Sequence, residues 1–284
     1  MPEAHMVRVA AVQMQPAILD TDANLAHLLG LVQDSAAHDA RLIVFPEIAL
    51  SGYAITSDEA EALAQPVPGP ATDAITRACH KTGAHVVLGL LERDRDGTLF
   101  NAAVLLGPSG LLSHYRKTHL PLLGVDRYLA AGDGLLPPVE TPAGRVGLLI
   151  CYDLRFPEPC RVLALLGAQL ITLSTAWPMA GTLYPDYLAR ARAAENRTFL
   201  IAANRCGEER GTRYLGRSVI VAPDGTLLAE AAADREQTLY ADIDPTLSDT
   251  KRLVFAAGEY ELDLWGDRRP DLYGPIASDT LAHP

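Results

Sequence analysis

At 284 residues, 49% hydrophobic and 21% charged, the chain has ordinary globular composition and enough apolar material for a sizeable core. Its formal net charge of −11 argues against a nucleic-acid binder, which normally presents a basic face. No apolar run approaches the roughly 20 residues needed to cross a bilayer, so a membrane partner is not expected either.

The opening segment, Met1 to Arg8, is too short and too polar for a signal peptide. Cys79, Cys151, Cys160 and Cys206 are scattered without a CxxC pair, so neither a disulfide framework nor a zinc site is indicated. A cytoplasmic, reducing setting is expected, which suits a free catalytic thiol.

Val7 to Gln13 reads as a first strand. Thr21 or Asp22 caps a helix that places Leu25, Leu28, Leu29, Val32 and Ala36 on one face. Arg41 to Phe45 is a short apolar strand and completes a βαβ unit of the usual right-handed, parallel kind. Pro70 to Thr82 is predicted helical, stopped by Gly83, and His85 to Leu91 is a strand. Asp96-Gly97 turns the chain into Leu99 to Leu106, and Gly107 to Gly110 turns it into Leu111 to Arg116. After Pro142-Ala143-Gly144 comes the apolar run Val146 to Ile150, which ends at Cys151.

Beyond it the spacing predicts a helix from Glu158 to Leu166, a strand from Gln169 to Ser174 and a polar-faced helix from Tyr184 to Arg197. Next come a strand from Phe199 to Asn204 and a hairpin of Tyr214 to Val221 with Thr226 to Ala231. Gln237 to Ile243 is a last strand before a helix at Pro245 to Arg252. Helices alternating with strands, with hairpins among them, point to an α/β fold: a four-layer α-β-β-α sandwich with two mixed sheets. No linker or low-complexity stretch divides residues 1–284, so one domain is expected. The tail, 254–284, carries Phe255, Tyr260, Trp265 and Tyr273 and is expected to pack at a subunit interface.

Three strand exits carry chemistry. Leu42 to Phe45 leads to Pro46-Glu47, His114 to Arg116 leads to Lys117, and Val146 to Ile150 leads to Cys151. In open α/β sheets that edge is where ligands bind. A carboxylate, an ammonium and a thiol there have complementary roles in acyl transfer. Glu47 serves as general base and then general acid, and Cys151 as nucleophile. Lys117 and the backbone N–H of Tyr152 serve as oxyanion donors. This chemistry requires no metal or organic cofactor. Singly, each residue has a plainer reading: a first-turn glutamate, a core cysteine, a solvated lysine. Their joint occurrence favours the catalytic one.

These segments resemble the carbon–nitrogen hydrolase family, or nitrilase superfamily, whose triad is Glu, Lys and Cys. The resemblance is carried by Phe45-Pro46-Glu47, by Tyr115-Arg116-Lys117-Thr118-His119-Leu120 and by Cys151 to Glu158. Phe100-Asn101-Ala102-Ala103, Arg192 to Asn196, Ala202 to Gly207, Gly216 to Ile220 and Arg269 to Gly274 also match, so it runs from about Val7 to Gly274. It implies the same sandwich, dimers or larger homo-oligomers with the tail reaching across, and a small-molecule amide hydrolysed through a Cys thioester to carboxylic acid and ammonia. Tyr152, where true nitrilases usually have Trp, favours amide over nitrile; an N-carbamoyl substrate, a nitrile substrate and a catalytically silent scaffold stay open.

Many members carry a second glutamate eight residues after the lysine; here Val125 stands there and Asp126 is next. Either Asp126 takes that place or it is a loop residue paired with Arg127. Tyr53 and Trp177 come soon after strand ends and are candidate substrate-binding walls. Arg155 either meets a substrate carboxylate or pairs with Asp153 or Glu158, and His119 raises a competing Cys–His mechanism.

Overall fold

The computed structural model describes residues 6–278, which form two compact units, 6–248 and 249–278. In the first, β1 (Val7–Gln13), β2 (Leu42–Val44), β3 (His85–Arg93), β4 (Leu99–Gly107) and β5 (Gly110–Arg116) join β14 (Gln237–Ile243) in a six-stranded sheet ordered β14-β1-β2-β3-β4-β5. The second sheet contains β6 (Val139–Thr141), β7 (Gly144–Ile150), β8 (Leu170–Thr175), β9 (Phe199–Asn204), β12 (Val219–Val221) and β13 (Leu227–Glu230), ordered β13-β12-β9-β8-β7-β6. A short ladder of β10 (Glu208–Glu209) and β11 (Thr212–Arg213) lies between β9 and β12 in the chain.

Both sheets are mixed and share one pattern. From β14, neighbouring strands run antiparallel, parallel, parallel, antiparallel, antiparallel. From β6 the series is the same. Each sheet is therefore built on a three-stranded parallel centre that needs crossover segments. In the first these include α1 (Thr21–Ala37), α2 (Ser57–Leu63) and α3 (Pro70–Thr82); in the second, α4 (Pro157–Leu165) and α5 (Ala189–Asn196).

The side-chain alternation of the strands sorts the layers. On β1, Ala10 and Val12 join Ile43, Val86 and Leu88 against Leu28 and Val32 of α1 and Ile75 and Cys79 of α3. Val9 and Ala11 point the other way, toward the second sheet, whose far face turns Leu149, Ile171, Leu173 and Leu200 toward Leu163 and Ala193 of the helices behind it. Complete burial of residues such as Leu28, Ile75 and Leu173 stabilises the sandwich by about 1.5–3 kcal/mol each. The expected α-β-β-α order is what forms.

Strand direction then decides where the loops emerge. Because β4 runs against both β3 and β5, the strands β1, β2, β3 and β5 end on one edge of their sheet. β7, β8 and β9 share an edge in the other. The exits of β2 and β8 are stitched together: Ser174 Oγ donates to Phe45 O at 2.8 Å, and Glu47 N to Thr175 O at 3.4 Å.

Local departures have local causes. The first helix is capped by Asp20, whose carboxylate accepts from Ala23 N, rather than by Thr21 or Asp22. α2, not expected, is marked by a capping box of Thr56 and Glu59. The predicted helix from Tyr184 begins as a π turn, Tyr184–Leu188, and turns α only from Ala189. The predicted helix at Pro245 to Arg252 is instead a 3-10 turn, Pro245–Asp249. In the second unit β15 (Arg252–Ala256) pairs with β16 (Tyr260–Asp263) as a hairpin, with Phe255 and Tyr260 stacked 4.6 Å apart. Residues 279–284 of the tail lie outside the described residues.

Candidate active site

β7 delivers Cys151 to the shared edge, and there the backbone turns sharply. Cys151 takes φ +44°, in the left-handed region, and opens a 3-10 turn, Cys151–Arg155, that ends where Pro157 begins α4. A residue other than glycine holds that conformation only when its surroundings enforce it. Asp153 does so. Its Oδ2 accepts from Ile150 N at 3.0 Å and from the Tyr115 hydroxyl at 2.8 Å. Its Oδ1 accepts from His119 N at 3.2 Å and lies 2.8 Å from His119 Nδ1. One buried carboxylate thus ties the cysteine turn to the segment that carries Lys117. His119, the candidate for a Cys–His pair, is engaged by Asp153 and stacks on Phe156 at 4.1 Å.

Lys117, fully buried, donates from Nζ to Glu47 Oε1 at 2.6 Å and to Asp126 Oδ2. Asn101 Nδ2 bridges the same carboxylates, 2.7 Å from Glu47 Oε1 and 2.8 Å from Asp126 Oδ1. Tyr53 donates its hydroxyl to Asp126 Oδ2 at 2.8 Å. All these bonds to Glu47 fall on Oε1; Oε2 is buried and has no hydrogen-bond partner among the described residues. One oxygen of Glu47 is held and the other is free of hydrogen bonds among the described residues.

Burial lifts the Glu47 carboxyl above its ordinary pKa, against the pull of the Lys117 charge and with the push of Asp126. Burial alone would lower Lys117, but the two carboxylates beside it raise it well above the usual lysine value. For Cys151, burial and the Glu47 charge push the thiol up, while Lys117 and the Ala176 N–H oppose them. The raised thiol thus lies within electrostatic reach of a carboxylate and an ammonium. Such a thiol is activated by a base at the moment of reaction rather than poised as thiolate.

Tyr53 is fixed from behind by Glu209. The Glu209 Oε2 accepts from Tyr53 N, Ala54 N and the Tyr214 hydroxyl, each at 3.0 Å, and Oε1 pairs with the fully buried Arg205. Gly52, at φ +87°, has no room for a side chain, because a Cβ there would lie 2.7 Å from Glu209 Oε1. In front of Tyr53 lies a cleft of about 230 Å³, open to solvent and lined by Tyr53, Ala54, Ala176, Pro178, Thr212 and Tyr214 with Leu123 and Gly124.

The structure therefore brings Glu47, Lys117, Cys151 and Asp126 to one place, with Tyr53 on the wall. Asp126 is buried and meets Lys117 rather than Arg127, whose Nε donates to Gly124 O at 3.1 Å. Trp177 is fully buried and stacks on Tyr184 at 5.1 Å; its neighbours Ala176 and Pro178 line the cleft. Tyr152 is half-buried, edge-on to Phe156. Asp153 is bound by Tyr115 and His119, and Arg155 is exposed. Asn101 and Glu209 were not singled out by their chemistry. Asn101 had a signal, as the one polar side chain in the strand Leu99–Gly107, whereas Glu209 sits in a polar turn like any other.

Among the described residues no group of His, Cys, Asp and Glu is arranged to hold a metal ion, and no helix is long and apolar enough to cross a membrane. The chain is 36% identical over 273 residues to a nitrilase of Pyrococcus abyssi, covering 94% of this chain and 99% of that one. It is 36% identical over 270 residues to the deaminated glutathione amidase of Mus musculus, covering 89% and 79%. A solved amidase from Nesterenkonia sp. AN1, a double mutant in complex with acrylamide, superposes with a TM-score of 0.80 at 25% identity, covering 97% and 99%. The carbon–nitrogen hydrolase family model matches residues 8–252, and the chain belongs to that family.

Proposed function

We propose that the protein is a cofactor-independent cysteine amidase that converts a small amide to a carboxylic acid and ammonia. The observation that carries the reading is the asymmetry of Glu47: Oε1 is bound by Lys117 and Asn101, whereas Oε2 is buried without a hydrogen-bond partner among the described residues, and the Glu47 charge is felt by the buried Cys151 thiol. The amidases among its relatives support it.

The steps are set by these atoms. Cys151 Sγ attacks the amide carbon while Glu47 Oε2 takes the thiol proton. The oxyanion forms against Lys117 Nζ and the Tyr152 N–H. The C–N bond breaks as Glu47 returns that proton to the leaving nitrogen, releasing ammonia and leaving a thioester. Water then attacks the thioester, Glu47 takes its proton, the C–S bond breaks and the thiolate is reprotonated as the acid departs. Burial raises Glu47 toward the working pH, which suits a group that must both accept and donate.

Cys151→Ala is expected to abolish ammonia release. Glu47→Gln is expected to slow both half-reactions, so that any acyl-enzyme formed persists and adds the acyl mass to the Cys151 peptide. Undiminished amide turnover in Cys151→Ala would sink the assignment. A matching nitrile hydrolysed faster than its amide would make the protein a nitrilase. For partners, we propose that the tail packs on a second copy of the chain, since Val254, Phe255, Tyr260, Leu272 and Ile276 are each more than half exposed.

A further inference from the structure

The cleft beside the catalytic cluster is bounded by groups that touch it. Ala176 offers its N–H to the Cys151 sulfur, Leu123 and Gly124 lead into Asp126, and Tyr53 bonds to Asp126 directly. The acyl part of a substrate whose carbonyl lies on Cys151 therefore has this cleft next to it.

Its lining contains no charged side chain. Its two phenols are also withdrawn. The Tyr53 hydroxyl is spent on Asp126 and Leu123 O, and the Tyr214 hydroxyl on Glu209, so both tyrosines offer ring carbon to the cleft. Ala54, Leu123, Gly124, Ala176 and Pro178 supply the rest, with Thr212 the remaining hydroxyl. Glu209 organises this face: one carboxylate holds Tyr53 N, Ala54 N and the Tyr214 hydroxyl, three residues of the wall. Its own charge is met by the buried Arg205 and does not reach the cleft surface.

We propose that this cleft is the acyl site and that it takes an uncharged, apolar acyl group, so that the substrates are simple aliphatic amides rather than ω-amido acids. The proposal rests on the amidase reading and specifies its substrate class. A carboxylate laid against this wall would give up the water on that side and meet no cation among the lining residues in return, which is costly for an ion. An alkyl group loses nothing there and removes apolar surface from water. The exposed Arg155 is not among the lining residues.

The test compares two amides of one shape on the full chain. Isocaproamide ends in an isopropyl group where succinamate ends in a carboxylate. Isocaproamide is expected to have at least tenfold higher kcat/KM, or ~1.4 kcal/mol in transition-state binding. Ala54→Arg, which adds a cation to the wall, is expected to move that ratio toward succinamate. Succinamate hydrolysed as well as isocaproamide by the unaltered protein, with Arg155→Gln removing its rate, would place the acyl end on Arg155 and overturn the proposal while leaving an amidase. A ratio unmoved by Ala54→Arg would show that the acyl group lies elsewhere. Failure to release ammonia from propionamide, isocaproamide and succinamate alike would instead remove the amidase reading on which it rests.

Discussion

Two carboxylates share one ammonium at the centre of the site, and Asn101 and Asp126 move the Glu47 ionisation in opposite directions. The Asp126 charge raises the Glu47 pKa, and the Asn101 hydrogen bond lowers it. In the proposed mechanism Glu47 must be ionised to take the thiol proton, so kcat/KM is expected to fall as pH drops through its pKa, above the ordinary 4.5. Asp126→Asn removes a repelling charge, making ionisation easier, and should move that acid limb to lower pH. Asn101→Ala removes a donor that favours the carboxylate and should move it to higher pH. Profiles of kcat/KM for the three proteins check both signs, and limbs shifting the same way would mean that Glu47 is not the group observed. The sequence pointed to Glu47, Lys117 and Cys151 because each stands at the exit of a predicted strand. It did not reveal that Asp126 turns inward, since the exposed Leu122 and the buried Val125 sit in one short loop with no periodicity to orient it.

At the scale of the element, the position of Glu47 depends on a strand to which it does not belong. The β2 exit crosses β3 at Gly89, where a Cβ would lie 2.5 Å from Pro46 O and 2.7 Å from the Glu47 Cα. Ala49 N donates to Gly89 O at 2.9 Å, which holds the crossing closed. Gly89→Ala must therefore push the Pro46-Glu47 backbone outward while leaving every catalytic side chain present. Displacements of about 1 Å at a reacting group can lower rates ~100-fold. A loss of kcat of that order is expected, with a folded protein by circular dichroism; an unchanged kcat would show that the crossing tolerates the methyl. Elements with strong signals were legible here: β1, β3, β4 and β7 are long apolar strands, and α3 carries Pro70 at its start and Gly83 at its end. The π turn at Tyr184–Leu188 was not, because its five residues share a pattern with the α-helix that continues it.

At the scale of the whole chain, the order of helices and strands implied the sandwich, but not that the two sheets repeat one sequence of strand directions. That repeat depends on which distant segments pair: β14 closes the first sheet beside β1, more than 220 residues away, and short β6 takes the corresponding place beside β7. Both sheets are complete by Ile243, and Ser248 closes the next turn by donating to Gln169 O at 2.7 Å. The remaining strands, β15 and β16, form a two-stranded hairpin, and such a hairpin is marginally stable by itself in water. Phe255 and Tyr260 stack on each other and remain more than half exposed, so their mutual contact does not remove them from solvent. The second copy proposed above would supply burial that the hairpin's own contacts do not. A chain ended after Lys251 is therefore expected to unfold cooperatively but to sediment as a smaller species than the full chain at equal concentration. If both sediment alike, the hairpin is not what joins the copies.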